Sequence, residues 1–104
     1  MGPFVGTCLL RIISKRKIRD FQATHPRAQD ALKHWANIVE ESDWLNPGEL
    51  RASIGTVDFV DGLSVFDVGG NKYRVITFGS YRRQILYIKQ ILTHVEYSTG
   101  SWKP

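Results

Sequence analysis

Apolar positions along the chain change period twice, and each change marks an element. Leu9 to Ile13 is a short apolar run suited to a strand. Ser14 stands where a helix N-cap belongs, and Ile18 and Phe21 mark the inward side of a helix through about Thr24. Lys15, Arg16 and Arg19 then fall largely on its outside. Thr24-His25-Pro26 breaks this helix, and Pro26 suits the first turn of the next. There Ala28, Ala31, Leu32, Trp35, Ala36 and Val39 form one stripe at helical period, ending near Glu41 before the Asn46-Pro47-Gly48 turn.

Residues 49–62 are mixed: a short turn of helix, then Val57 and Phe59 in an extended segment. After Asp61-Gly62 the period becomes that of strands. Leu63 to Val68 and Tyr73 to Phe78 flank Gly69-Gly70-Asn71-Lys72, a hairpin signal because Gly and Asn tolerate positive φ. Ile85 to Leu92 is a further strand, apolar on both faces as at the centre of a covered sheet. The order strand, helix, helix, antiparallel meander predicts an α+β domain, with the helices covering one face of a mainly antiparallel sheet.

At 104 residues the chain fits one domain, and 42% apolar residues suffice for one core. No apolar run approaches the ~20 residues that cross a bilayer. The single cysteine, Cys8, excludes an internal disulfide framework and suits a reducing compartment. The opening MGPFVGTCLL lacks the basic flank and small-residue cleavage site of a secretory signal, so a cytoplasmic protein is expected.

Charge is distributed in blocks. Residues 1–39 hold seven Lys/Arg against two Asp/Glu, residues 40–67 hold one against seven, and residues 68–104 hold six against one. Two basic ends around an acidic middle can fold into one basic face, the footprint of a nucleic-acid binder; solvated surface lysines are the ordinary alternative.

No zinc pattern, P-loop or dinucleotide fingerprint is present, and no cofactor or metal is expected. Among the histidines, His25 lies in the inter-helix turn and His34 beside the apolar stripe, positions that suit structural or solvated roles. His94 is different. Thr93-His94-Val95-Glu96 matches the capping box, which starts a short terminal helix and puts His94 and Tyr97 on one face. The positive end of that helix disfavours imidazolium and attracts an anion, so His94 is a candidate proton carrier beside phosphate, or a plain surface residue. Lys89 sits inside the most apolar strand, where its ammonium either snorkels to an edge or lines a polar cleft. Arg74 alternates with Ile76 and Phe78, and it either pairs with Asp67 across the hairpin or grips phosphate. Tyr73, Tyr81, Tyr87, Tyr97 and Trp102 interleave with Arg74, Arg82, Arg83, Lys89 and Lys103, a pattern that fits either core aromatics or single-strand RNA binding.

The segments VFDVGGNKYRVI (residues 65–76), YIK (87–89) and THVEY (93–97) together resemble the HigB family of bacterial toxins, RelE-like mRNA interferases of type II toxin–antitoxin systems. The resemblance covers residues 10–103 and extends to Arg11-Ile12-Ile13-Ser14, the basic first helix and Trp102-Lys103. It implies a RelE-like compact domain with two helices on one sheet face and a short C-terminal helix, cutting mRNA on translating ribosomes. It also implies neutralisation by a HigA-like helix-turn-helix antitoxin. Family members begin close to the first strand, so residues 1–9 are expected to be an extension without chemistry and residues 10–104 the toxin domain.

Carried across, Asn71, Arg74, Lys89, His94 and Tyr97 become site candidates. Metal-free RNA cleavage uses the ribose 2′-OH as nucleophile and needs a base, cations for the pentavalent phosphate and an acid for the leaving oxygen. The expected roles are proton transfer by His94, charge stabilisation by Arg74 and Lys89, and phosphate orientation or base stacking by Tyr97. Asn71 shapes the hairpin or touches RNA, while Lys15, Lys17 and Arg19 hold ribosomal RNA and Arg83 adds a further RNA contact. The other readings are a non-catalytic RNA-binding module and an antitoxin-binding homologue without nuclease activity.

Overall fold

The computed structural model describes residues 9–100 and 102. The chain runs β1 (Arg11–Ile13), α1 (Arg16–Thr24), a 3-10 turn (Pro26–Ala28), α2 (Gln29–Glu40) and α3 (Pro47–Ser53). It continues through β2 (Asp58–Val60), β3 (Leu63–Val68), β4 (Tyr73–Ser80), β5 (Ile85–Thr93) and α4 (His94–Ser98). One five-stranded sheet has the order β1-β5-β4-β3-β2, in which β1 is parallel to β5 and all other pairs are antiparallel. The expected α+β class and mainly antiparallel sheet are what is found. Residues 1–8 and Lys103, including most of the expected extension, lie outside the described residues.

The helical stripe builds the core. Ile18 of α1 and Leu32, Trp35, Ala36 and Val39 of α2 are buried with Phe66, Val68, Val75, Leu86 and Ile88 from one face of the sheet. Trp35 meets Phe66 edge-on at 5.3 Å between ring centroids. Asn46-Pro47-Gly48 is a helix start rather than a bare turn: the Glu49 N–H donates to Asn46 Oδ1, and Pro47 fills the first helical position. Ser14 does not cap α1 with its side chain. It turns the corner itself, at φ 75°, and its carbonyl accepts the Lys17 N–H at 2.9 Å.

The opposite face, open at Phe78 but with Val65 and Ile76 buried, carries Asp67 from β3, Arg74, Ile76 and Phe78 from β4, and Tyr87 and Leu92 from β5, because side chains alternate along each strand. The β4–β5 register slips once: Ile76 faces Gln90 and Thr77 faces Ile88, so Lys89 is an extra residue with no cross-strand partner. This bulge explains the double-sided apolar look of the strand. Leu86, Ile88 and Ile91 all reach the helix-covered core, while Lys89 and Gln90 are both exposed. β1 pairs with β5 only as far as Tyr87, and α1 runs beside the rest of that strand.

Candidate active site

The β3–β4 hairpin sets the first half of the site. Gly69, Gly70 and Asn71 all adopt positive φ (69°, 62° and 75°), a tight turn that only Gly and, at some cost, Asn accept readily. At Gly69 the conformation is also crowded: a Cβ would stand 3.0 Å from the Tyr73 ring. The turn fixes a register in which Asp67 lies directly opposite Arg74. Arg74 Nη1 donates to Asp67 Oδ1 at 3.1 Å, to the Tyr73 carbonyl at 3.2 Å and to the Asn71 carbonyl at 3.3 Å. Its Nη2 donates to Asn71 Oδ1 and contacts His94 Nδ1 at 3.2 Å. The Arg74 side chain is only 12% exposed, so its charge acts in a partly desolvated setting.

The capping box sets the second half. Glu96 N–H donates to Thr93 Oγ1 at 3.2 Å and Thr93 N–H donates to Glu96 Oε1 at 2.9 Å. The His94 N–H donates to the Lys72 carbonyl at 2.9 Å, tying α4 to the hairpin turn. The imidazole is thereby delivered to Arg74 from twenty residues away. A guanidinium only donates, so Nδ1 of His94 accepts and the ring proton sits on Nε2. Tyr97, one turn on, lies 5.3 Å from the Arg74 guanidinium, measured to its ring centroid, and stacks on Trp102 at 5.0 Å. Burial and the Asp58 carboxylate raise the Tyr97 pKa above its usual 10.0, with Arg74 opposing them. Its phenol is a hydrogen-bond donor throughout the neutral range.

The structure therefore brings Asn71, Arg74, His94 and Tyr97 together. Asn71 serves both the turn and the site. Lys89 does not join the cluster: it sits on the bulge, in a cleft against α1 that also contains Lys17. The basic first helix divides likewise. Lys15 pairs with Glu40 at 2.7 Å and Arg19 lies in a groove against α2, so only Lys17 of the three shares the cleft with Lys89. Arg83 is exposed in the β4–β5 turn, at the opposite end of β4 from Arg74. His25 stacks on Phe21 at 4.1 Å, a structural role. Asp58, whose charge acts on Tyr97, had no signal in the sequence, because its place in the sheet depends on the β2–β3 pairing.

A short parallel N-terminal strand, an antiparallel meander, helices on one face of the sheet and a short C-terminal helix are compatible with a RelE-like fold. The HigB_toxin family, described as the RelE-like toxic component of a toxin–antitoxin system, matches residues 28–100, and the chain belongs to that family. It is 28% identical over 91 residues to the mRNA interferase toxin HigB of Escherichia coli K12, covering 85% of this chain and 88% of that protein. The mRNA interferase HigB of Escherichia coli O6:H1 is 30% identical over the same shares. The mRNA interferase HigB of Shigella flexneri is 28% identical, again over 85% and 88%. Among the described residues no helix is long and apolar enough to cross a membrane.

Proposed function

We propose that this chain is a cytoplasmic endoribonuclease that cuts mRNA at the translating ribosome and is neutralised by a HigA-like helix-turn-helix antitoxin. The relatives' activity supports the substrate class, and the contact between Arg74 and His94 Nδ1 supports the chemistry. As it stands, that contact occupies the histidine's lone pair. An incoming phosphate competes for the same Nη2–H, because a charge-assisted bond to phosphate is the stronger one.

Once Arg74 turns to the phosphoryl oxygen, Nδ1 is free to take the 2′-OH proton. The O2′–P bond forms, the P–O5′ bond breaks and the 5′-oxygen leaves as a hydroxyl, giving a 2′,3′-cyclic phosphate. The imidazolium so formed stands beside a guanidinium, which favours passing its proton to the leaving oxygen. Arg74 and the Tyr97 phenol donate to the charged phosphorane. Asn71 positions Arg74. Lys17 and Lys89 hold RNA outside the cluster, and Lys15, Arg19 and Arg83 contribute long-range attraction to ribosomal RNA.

The test is induced expression in a bacterial host with mapping of transcript ends, together with cleavage of mRNA by purified protein with and without ribosomes. Wild type should arrest growth and leave new ends bearing 2′,3′-cyclic phosphate, whereas folded His94→Ala and Arg74→Ala chains should not. Full cleavage by either variant would remove the assignment.

A further inference from the structure

Away from the Arg74 cluster, the open face holds a second concentration of chemistry. Arg74, Ile76 and Phe78 alternate on β4, so Phe78 stands about 13 Å along the strand from Arg74, at ~3.3 Å per residue. Phe78 is 48% exposed, unusual for a phenylalanine in the middle of a sheet. It lies opposite Tyr87 on β5, with ring centroids 6.4 Å apart and planes tilted by 35°. These two rings form one wall of a cavity of about 420 Å³ whose other contributors include Ser14, Lys17 and Lys89.

The cavity exists because of two backbone events already described. β1 ends at Ile13 and Ser14 turns the chain away, which leaves the edge of β5 without a strand beyond Tyr87. The bulge then directs Lys89 outward into the gap. Neither Lys17 nor Lys89 takes part in an ion pair among the described residues, in contrast to Lys15 with Glu40 and Arg74 with Asp67. A second cavity of about 360 Å³ adjoins along the same two lysines and admits one carboxylate, Asp20.

We propose that this cleft is a nucleotide subsite: one unpaired RNA base stacks on Phe78 beside Tyr87, and its phosphate lies between Lys17 and Lys89. The assignment rests on the RNA-cleaving reading and adds to it a residue that selects how the strand lies, at a nucleotide other than the one cut. Two cations beside an exposed aromatic face match a nucleotide, which offers a π-surface and an anion together. An acidic peptide would answer the lysines but not the ring. The aromatic stacks any base, so the subsite sets position along the strand more than base identity.

The experiment measures binding of the full chain to a short single-stranded RNA with 2′-O-methyl riboses, which cannot be cleaved, across a series of salt concentrations. Phe78→Ala should weaken binding about tenfold and Phe78→Trp should restore it, since base stacking depends on the aromatic face. An abasic nucleotide at one position should weaken wild type but have no further effect on Phe78→Ala. Lys89→Gln should lower the salt slope by about one. Wild-type affinity in Phe78→Ala, equal response of both proteins to every abasic position, or no RNA binding by wild type at low salt would overturn the subsite. Cleavage is read separately: RNA binding that depends on Phe78, in a chain that cuts no mRNA, would overturn the nuclease and leave the subsite standing.

Discussion

Arg74 and Lys89 sit on neighbouring strands of one sheet, yet their surroundings are opposite. Arg74 is enclosed, with both terminal nitrogens engaged by Asp67, Asn71, the Tyr73 carbonyl and His94. Lys89 is an extra residue on a bulge, exposed and outside any ion pair among the described residues. In the first, Asp67, Asn71 and the Tyr73 carbonyl hold the guanidinium in place and one Nη2–H, on His94, is left to be exchanged for phosphate, which suits stabilising charge that appears only during reaction. The second is open and adaptable, which suits attraction of a flexible polyanion. A cation's role follows from how completely the fold has already used its donors.

Arg74→Ala should break the comparison most severely, with cleavage falling at least ~100-fold, as when a preorganised donor to transition-state charge is removed. Because it also leaves Asp67 and Asn71 without their donor, unfolding in urea should show a loss of about 1–3 kcal/mol. Arg74→Lys should fail to restore activity, since one ammonium cannot reproduce the fork that reaches four residues. Unchanged transcript cleavage by the lysine variant would mean that charge alone suffices there.

Asn71→Gly sharpens the contrast. Glycine keeps the left-handed turn while removing the Oδ1 that holds Nη2, so cleavage should fall with little change in melting temperature. Unchanged cleavage by the glycine variant would assign Asn71 to the turn alone. Thr93→Ala should cost about 1 kcal/mol through loss of the cap and should lower kcat by loosening His94. A kcat equal to wild type would detach the capping box from the chemistry.

On the open side the effects are smaller. Lys17→Ala should weaken RNA binding more than Lys15→Ala, because Lys15 is already paired with Glu40. The reverse order, measured at low salt, would move the RNA path to the α2 side. The smallest effect is alkaline. With the folded Tyr97 pKa above the unfolded value of 10.0, the folded state holds the phenolic proton more tightly. Stability should therefore fall as pH rises from 10.0 through the raised folded value, and Tyr97→Phe should flatten that slope.

Much of this organisation is local and so legible in the residues. The α2 stripe, the Gly69-Gly70-Asn71 turn and the Thr93–Glu96 capping box are set by neighbours within a few positions, and each lies where its spacing predicts. The pairing of Arg74 with Asp67 follows from the hairpin register and was one of two readings the alternation left open. The bulge was not legible. Ile85 to Leu92 looks like one continuous strand, and the extra residue exists only relative to β4. The family resemblance groups Lys89 with Arg74 as site candidates, and the register slip is what separates them. The split of Lys15, Lys17 and Arg19 between two grooves likewise depends on where α1 is held, which Ser14 decides by its backbone rather than by a side-chain cap.

The parallel pairing of β1 with β5 also bears on how the chain comes into being. Residues 11–13 emerge from a translating ribosome more than seventy residues before residues 85–87, their one strand partner among the described residues. His94, which completes the cluster, follows later still. Until those residues are made, the nascent polypeptide holds β1 without its partner and an arginine without its histidine. Vectorial translation therefore separates the making of the arginine from the closing of its cluster, which waits for both β5 and the capping box that follows it.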